Sequence, residues 1–587
     1  MFKVNLLGLM VSASLLASQT YASSQAADTV SPEVSSGVEL KHSVIANEYM
    51  VASANPLATK AGYDVLNAGG SAADAMVAIQ SMLGLVEPQS SGLGGGAFMV
   101  YYDAKSKKIT TFDGRETAPL AATPELFQKA NGEKMKFYDG VVGGRSVGTP
   151  GTVRLMGTVH KRFGKLAWGQ LLQSSVDVAE QGFKVSPRLA GLIEKDQKRL
   201  SHYPDTQAYF FNTDGSPLQE GQLLKNQAYA NTLKILAKEG ADAFYSGKIA
   251  NDIVKRVKSA KDNPGVLASE DLAIYKVKER PATCAPYRQY SVCGMGPPSS
   301  GALTVGQILG VANQFDLQAM GKDSAQAWQI IGDASRLAFA DRGRYMADSD
   351  FVPMPQGLLA ADYLASRAAL ITKGTALSKQ QVTAGEPDWV NSEKLALADD
   401  VSIEFPSTSH FVIVDKEGNI VSMTTTIENG FGSRLMTNGF LLNNELTDFS
   451  FSTHKNGYPI ANRLEPGKRP RSSMSPSIVM KGDQPYLAIG SPGGSRIIGY
   501  VASTIIAHLD WGLSIQEAIN LPHLVNRFGT YDLEKGTSAE NFKEPLEKMG
   551  YKVNVRDLTS GLHAILLKDG KLIGGADPRR EGLVLGK

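Results

Sequence analysis

The sequence predicts a mixed α/β protein built of helical and sheet layers, and three observations carry that reading. Apolar residues recur at helical spacing through most of residues 150 to 280. From Thr408 onward, short β-branched runs alternate with turn residues. The length of 587 residues would accommodate roughly four domains, yet layered α/β units run longer as one body and the core is not limiting.

The chain opens as a secretory leader. MFK gives a basic start, VNLLGLMVSASLLA an apolar stretch and SQTYA a small-residue exit, with cleavage after Ala22 or after Ala26. Residues 1–22 are therefore expected to be removed. No later run approaches ~18 apolar residues, so the mature protein is expected to be soluble and periplasmic, with no membrane span. Residues 23 to 45, rich in Ser and Ala, are expected to be poorly ordered. ANPLATKAGYDVLNAGGSAADAMVAIQSMLGLVEP then reads as two helices joined at Ala68-Gly69-Gly70, with Ser71 capping the second.

In QSSGLGGGAFMVYYDAKSKKITTFDGRETAP a glycine cluster invites comparison with nucleotide loops. Such a loop needs a strand before its glycines and a helix after them, whereas here the strand FMVYY follows, so the glycines read as close backbone packing beside a site. The second strand ends at Arg115. Its planar fork suits a carboxylate, and a solvated strand-end cation is the plainer alternative.

WGQLLQSSVDVAEQGF, NTLKILAKEGADAFYSGKIANDIVKRVKS and EDLAIYKV read as helical scaffold, as do MGPPSSGALTVGQILGVANQF and AQAWQIIGDASRLAFADRGRYMAD. The two cysteines, Cys284 and Cys293, lie in CAPYRQYSVC. Export permits a disulfide across a hairpin at this spacing, with two unpaired buried thiols as the alternative. After Thr408, FVIVD, KEGN and IVSMTTTIE read as a hairpin. NGFLLNNELTDFS ends a strand with Asn443, Asn444, Glu445 and Asp448. RSSMSPSIVMKGDQPYLAIGSPGGSRIIGYVASTIIAHL gives turn, strand, strand, Gly-Gly turn and helix. Backbone N–H groups at Gly493 and Gly494, ahead of that helix, can face an anion, although a plain tight turn reads the same way.

Composition removes several function classes. Lys+Arg 60 against Asp+Glu 58 leaves a net charge of +2, which argues against a nucleic-acid groove or an anionic-membrane face. The eight histidines are scattered and two cysteines cannot complete a zinc site, so no metal or cofactor is indicated. Gly-x-Ser-x-Gly is absent, which weakens a serine-hydrolase reading. The partner expected is a small molecule.

The remaining chemistry converges on Thr408, at the seam between the polar, turn-rich stretch from about Gly374 to Pro406 and the hairpin. A Thr opening an edge strand is unremarkable in itself. The sharper reading is that the chain is cut before Thr408, freeing an α-amine beside a hydroxyl. Such an amine titrates near ~7.7 to 8, so part of it is neutral at pH 7 and can take the proton of its own side chain.

Thr408 with His410, TTTIENGFGS, LLNNELTDFS, GKRPRSSMSPS and GSPGGSRII, together with PQSSGLGGGAF and GRETAP in the front half, resemble the γ-glutamyltransferase (γ-glutamyltranspeptidase) family of the N-terminal nucleophile hydrolase class. The resemblance spans nearly the whole mature chain. It implies a four-layer αββα sandwich, a large subunit of residues 23–407 and a small one of 408–587 that share one domain as a heterodimer. It implies that Thr408 is the nucleophile of both self-cleavage and catalysis, with Thr426 beside it and Gly493 and Gly494 as the oxyanion hole. Arg115, Ser472 and Ser473 would hold the α-carboxylate of a γ-glutamyl substrate such as glutathione, and Glu445 and Asp448 its α-ammonium, before transfer to water or an acceptor amine. Glu428 departs from the pattern, since many members carry Asn there; it is expected to alter substrate preference and to stay protonated if buried near Glu445 and Asp448. The loop from Phe449 to Arg471 is shorter than in lid-bearing members, with Tyr458 as a candidate gate.

Two rivals remain at this stage. An acylase on the same scaffold would remove glutaryl or related side chains from β-lactams, substrates without the α-amine that Glu445 and Asp448 suit. An uncut periplasmic binding protein would keep the pocket and perform no chemistry.

Overall fold

The computed structural model describes residues 37–390, 393–402 and 404–587; the expected leader lies outside them. Two seven-stranded sheets form the centre. The first runs, edge to edge, Val44–Ala46, Lys571–Ala576, His563–Lys568, Gln484–Gly490, Ser477–Lys481, Tyr290–Gly294 and Thr283–Tyr287. The second runs Leu583–Gly586, Met50–Ser53, Ser409–Val414, Ile420–Thr426, Gly96–Asp103, Lys108–Gly114 and Lys278–Pro281. Every pairing within them is antiparallel.

The period-2 alternation of the strands assigns their faces. Val412, Val414, Met50, Ala52 and Val100 from the second sheet meet Ile478, Met480, Ala488 and Ile565 from the first in one apolar layer between the sheets. The intervening Phe411, Ile413, Val51, Met99 and Tyr101 point outward, into a core shared with the helices Pro56–Asn67, Ala72–Val86, Thr152–Phe163 and Trp168–Gln181. On the far side Val479, Leu487, Ile489 and Ala564 pack against Gly301–Ala312, Ala325–Tyr345 and Ile497–Leu509. Helix, sheet, sheet, helix is the αββα order expected.

Ser71 caps Ala72–Val86 through a capping box with Asp74, as its position after Gly70 foretold. All 15 residues of that helix are buried, and Gly62 of Pro56–Asn67 lets the two helices approach closely: a Cβ there would lie 2.6 Å from Ile79. Ile79→Ala would open a cavity there and cost about 2 to 5 kcal/mol. Cys284 and Cys293 face each other across the predicted hairpin and are disulfide-bonded.

Six strands of the two central sheets escaped the sequence reading: Val44–Ala46, Met50–Ser53, Lys278–Pro281 and Leu583–Gly586, together with His563–Lys568 and Lys571–Ala576. The first four have three or four residues, too few to display a period; the last two have six each and lie in the stretch after the helix Ile497–Leu509 that the sequence reading left unassigned. Val44–Ala46 also lies partly within the Ser/Ala-rich stretch expected to lack order. In the second sheet Ser409–Val414 and Ile420–Thr426 lie between strands from ahead of Thr408, so neither half of the chain could close that sheet alone.

Candidate active site

Strand register places Thr408. Ser409 pairs with Thr425 in the Ser409–Val414/Ile420–Thr426 hairpin, so the next step outward sets Thr408 opposite Thr426. Thr426 in turn pairs with Gly96, and Ala97 with Gly114, which brings the residue after Gly114, Arg115, to the same end of the sheet. The glycines earn their place here. A Cβ on Gly95 would lie 2.0 Å from the carbonyl oxygen of Thr426, so only glycine permits that approach.

In the uncut chain the Thr408 hydroxyl donates to Thr426 Oγ1 at 3.4 Å. Thr426 Oγ1 donates to the carbonyl oxygen of Ser407 at 2.9 Å and accepts from the N–H of Glu428 at 2.9 Å. The bond between Ser407 and Thr408 thus has its carbonyl oxygen bonded by one threonine hydroxyl that also meets the other. The surroundings hold this geometry: Ser407 Oγ donates to the Gln89 carbonyl at 2.7 Å, Ser409 Oγ to Glu87 at 2.7 Å, and Arg580 Nη1 to the Thr408 carbonyl at 3.2 Å.

Beside the threonines lies a cavity lined by Arg115, Thr408, Thr426, Glu428, Glu445, Asp448, Ser472, Ser473 and Gly494, together with Glu404, Phe405, Met474 and Ile497. Nine of the ten sequence-derived site residues therefore meet in one place. The tenth, Gly493, sits just behind: a Cβ there would lie 2.8 Å from the ring of Tyr500. Gly493 and Gly494 have φ of +139° and +59°, values at which a side chain would be strained. Among the described residues, neither of their N–H groups donates to a protein acceptor.

Arg115 is fully buried, as a charge can be only with partners in place. Its guanidinium donates to Glu445, to Asp448 Oδ2 at 2.5 Å and to the carbonyls of Pro470 and Arg471 at 3.2 and 2.9 Å. Glu445 and Asp448 stand at the two ends of a single 3₁₀ turn, Glu445–Asp448, where side chains three apart project together. Burial raises the pKa values of Glu445 and Asp448 well above the carboxylate range, against the pull of Arg115. Burial and then Asp448 do the same to Glu428, as expected of a buried neighbour. Glu116, which the sequence reading passed over, is pushed up to about 8 by burial, and Arg115 only partly offsets it. Several carboxyls thus crowd one guanidinium. Glu445 Oε2 and Asp448 Oδ1 accept no hydrogen bond among the described residues.

The stretch ahead of Thr408 fills most of the remaining space, leaving about 20 Å³, room for one water. The Phe405 ring stacks on Phe137 at 4.4 Å, its N–H donates to Glu428 Oε1 at 3.3 Å, and Ser473 Oγ donates to Glu404 at 2.6 Å. Sequence reasoning missed Glu404 and Phe405, which lie in the polar, turn-rich stretch ahead of Thr408. Tyr458 is 53% exposed and does not line the cavity. Among the described residues no group of His, Cys, Asp and Glu is arranged to hold a metal ion, and no helix is long and apolar enough to cross a membrane.

A model of the gamma-glutamyltranspeptidase family matches residues 58–586. The glutathione hydrolase proenzyme of Bacillus subtilis (strain 168) is 36% identical over 561 residues, 93% of either chain. That of Escherichia coli (strain K12) is 36% identical over 595 residues, 99% of this chain and 98% of its own. Among solved structures, cephalosporin acylase from Bacillus halodurans superposes with a TM-score of 0.80 at 26% identity, covering 94% of this chain and 97% of the other.

Proposed function

The chain belongs to the gamma-glutamyltranspeptidase family, and from that premise we propose a periplasmic enzyme that cuts itself before Thr408 and then moves γ-glutamyl groups, glutathione being the donor. The observation that carries the reading is the hydroxyl chain from Thr408 through Thr426 to the Ser407 carbonyl. Thr408 Oγ1 attacks that carbonyl, the peptide C–N bond breaks as the nitrogen takes a proton, and Ser407 is left as an ester on Thr408. Water hydrolyses the ester. The products are residues up to Ser407, ending in a carboxylate, and a chain whose first residue is Thr408 with a free amine.

In the second stage the Thr408 amine accepts the hydroxyl proton while Oγ1 attacks the donor's γ-carbonyl. Donors positioned for the developing oxyanion, here the Gly493 and Gly494 amides, typically lower such barriers by about 3 to 4 kcal/mol. The leaving amine departs with a proton, and water or an acceptor amine takes the γ-glutamyl group from Thr408. Glu445, Asp448 and Glu428 would bind the donor's ammonium, which ionises them in turn; Arg115, Ser472 and Ser473 would orient its carboxylate. The unfilled oxygens of Glu445 and Asp448 support γ-glutamyl donors over glutaryl amides, which carry no ammonium.

Export rests on the leader-like residues 1–22 and suits the Cys284–Cys293 disulfide. The test is a denaturing gel with mass spectrometry of active protein, alongside hydrolysis of γ-glutamyl-p-nitroanilide and of a glutaryl amide. Two fragments meeting at Ser407/Thr408 and preference for the glutamyl compound are expected. An active unbroken chain would rule the mechanism out.

A further inference from the structure

The cavity beside Thr408 is closed on nearly every side. Of the thirteen residues that line it, twelve are buried and Phe405 alone is partly exposed. Phe405 therefore stands at the mouth. Its N–H donates to Glu428 Oε1 at 3.3 Å, and its carbonyl oxygen lies 2.9 Å from the point a Cβ on Gly494 would take, so its backbone crosses the opening between those two residues. Its ring turns away from the cavity and stacks on Phe137, which is not one of the lining residues, with centroids 4.4 Å apart and planes 26° off parallel.

That stack is the end of a row. Phe137 and Phe451 lie 6.2 Å apart with planes 11° off parallel, and Phe451 and Phe127 lie 4.5 Å apart at 11°. Phe127 is buried in a cluster with Leu446, which belongs to the Glu445–Asp448 turn, so the row is anchored to the element that carries the two carboxyls. Phe405 alone of the four rings rides on the stretch ahead of Thr408. Phe137 and Phe451 also line a second cavity of about 150 Å³, completed by Asp400, Val401 and Ser402 of that same stretch. A cut before Thr408 turns the stretch into a free end. When it withdraws, one face of Phe137 and the adjoining cavity are bared together at the mouth, an apolar surface that gains by being covered again.

Resting on the reading above, we propose that Phe137, backed by Phe451, is the subsite for the amine half of the substrate, and that it takes an aromatic side chain where the Phe405 ring sits in the uncut chain. The glutamyl half fills the buried cavity, its α-groups among Arg115, Glu445, Asp448, Ser472 and Ser473 and its γ-carbonyl at Thr408. Whatever is attached to that carbonyl must then leave through the mouth and pass Phe137. Transfer to an acceptor is the reverse of acylation by an amide, so leaving amine and acceptor use the same place. The substrate class is γ-glutamyl amides of aromatic amines and amino acids, and a flat ring face selects them over aliphatic amines.

The test uses processed enzyme and two donors that differ only in the leaving amine, γ-glutamylglycine and γ-glutamylphenylalanine, with the released amino acid measured by chromatography. Wild type is expected to favour the phenylalanine compound about 10-fold in kcat/KM, the worth of one stacked ring. Phe137→Ala should lose about 10-fold on the phenylalanine compound and less than about 3-fold on the glycine compound. Phe137→Leu, which keeps apolar bulk without a flat face, should fall between, and it carries the test if the alanine variant does not mature. Phe137→Tyr, which restores the ring, should return the preference. Equal turnover of the two donors by wild type, or equal losses on both in the variants, would overturn the proposal while leaving glutamyl transfer standing. Failure of wild-type enzyme to hydrolyse either donor would instead overturn the function on which it rests.

Discussion

Replacing Thr426 by Val removes one hydroxyl and little else. Val is close to Thr in shape and favours strands, so Ile420–Thr426 and its pairing with Ser409–Val414 should persist. What disappears is the 2.9 Å hydrogen bond to the Ser407 carbonyl, the acceptor for the Thr408 hydroxyl at 3.4 Å, and the acceptor for the Glu428 N–H. Removing a donor aimed at a developing oxyanion typically slows the step about 10²- to 10³-fold. The stranded carbonyl and N–H also cost stability, about 1 to 3 kcal/mol for a buried group left unsatisfied. The assay is a time course of freshly purified precursor on a denaturing gel, with thermal unfolding run in parallel to separate slow cutting from poor folding. Thr426→Ser, which restores the hydroxyl, should recover most of the rate. If the folded valine variant cuts at the wild-type rate, Thr426 plays no part in activating the Ser407 carbonyl.

The remaining predictions concern the glycine turn, the extra carboxyl and the sheet interior. Gly494→Ala places a Cβ 2.9 Å from the Phe405 carbonyl oxygen at a φ of +59°, so precursor cutting and turnover should both fall; near-normal rates on a gel and in a chromogenic assay would remove the turn from the mechanism. Glu428 has a φ of +75°, which Asn tolerates better than most residues, so Glu428→Asn tests the carboxyl with little backbone penalty. A change in donor KM of about 10-fold is expected, and unchanged kinetics would mean the carboxyl does not meet the ligand. His410 and His563 are buried with ring centroids 6.5 Å apart, and burial, aided by Lys41 and Arg580, holds His563 at about 3 against an ordinary 6.5. Below pH 6.5 the unfolded chain takes up protons that the folded one refuses, so their contribution to stability is full above that pH and is lost as pH falls towards 3, by up to about 1.4 kcal/mol per unit for each group. Thermal unfolding of wild type and His563→Gln between pH 7.5 and 4 should show a shallower decline in the variant; parallel curves would assign the acid sensitivity elsewhere.

The site was legible through the family resemblance more than through its residues taken singly. Arg115 closing a strand, the Gly493-Gly494 turn and Thr408 opening a strand each have a plain structural reading, and only the order of several motifs along the chain drew them together. The two helices about Gly69-Gly70 were legible on their own, since a cap and a period agree there. The shortest strands were not, because three or four residues cannot display alternation. Nor were the buried charges of Ala325–Tyr345: Asp333, Arg336, Asp341 and Arg342 all lie on that helix, and one-dimensional pattern cannot say which partner each one meets.

The uncut chain and an active enzyme make opposite demands on one space. Self-cleavage needs the Ser407 carbonyl fixed against Thr408, which the Gln89, Thr426 and Arg580 contacts provide. Donor binding needs that volume empty, yet while the stretch is in place only about 20 Å³ remains, and a small-molecule site usually offers about 300 Å³ or more. The Phe405–Phe137 stack and the Glu404 contacts anchor the tail at several points, and the peptide bond to Thr408 fixes its end. On the mechanism proposed above, breaking that bond would relieve both constraints together: it would free the Thr408 amine as base and untie the chain that fills the cavity. An N-terminal nucleophile placed here therefore acts as its own zymogen, with no separate inhibitory domain required.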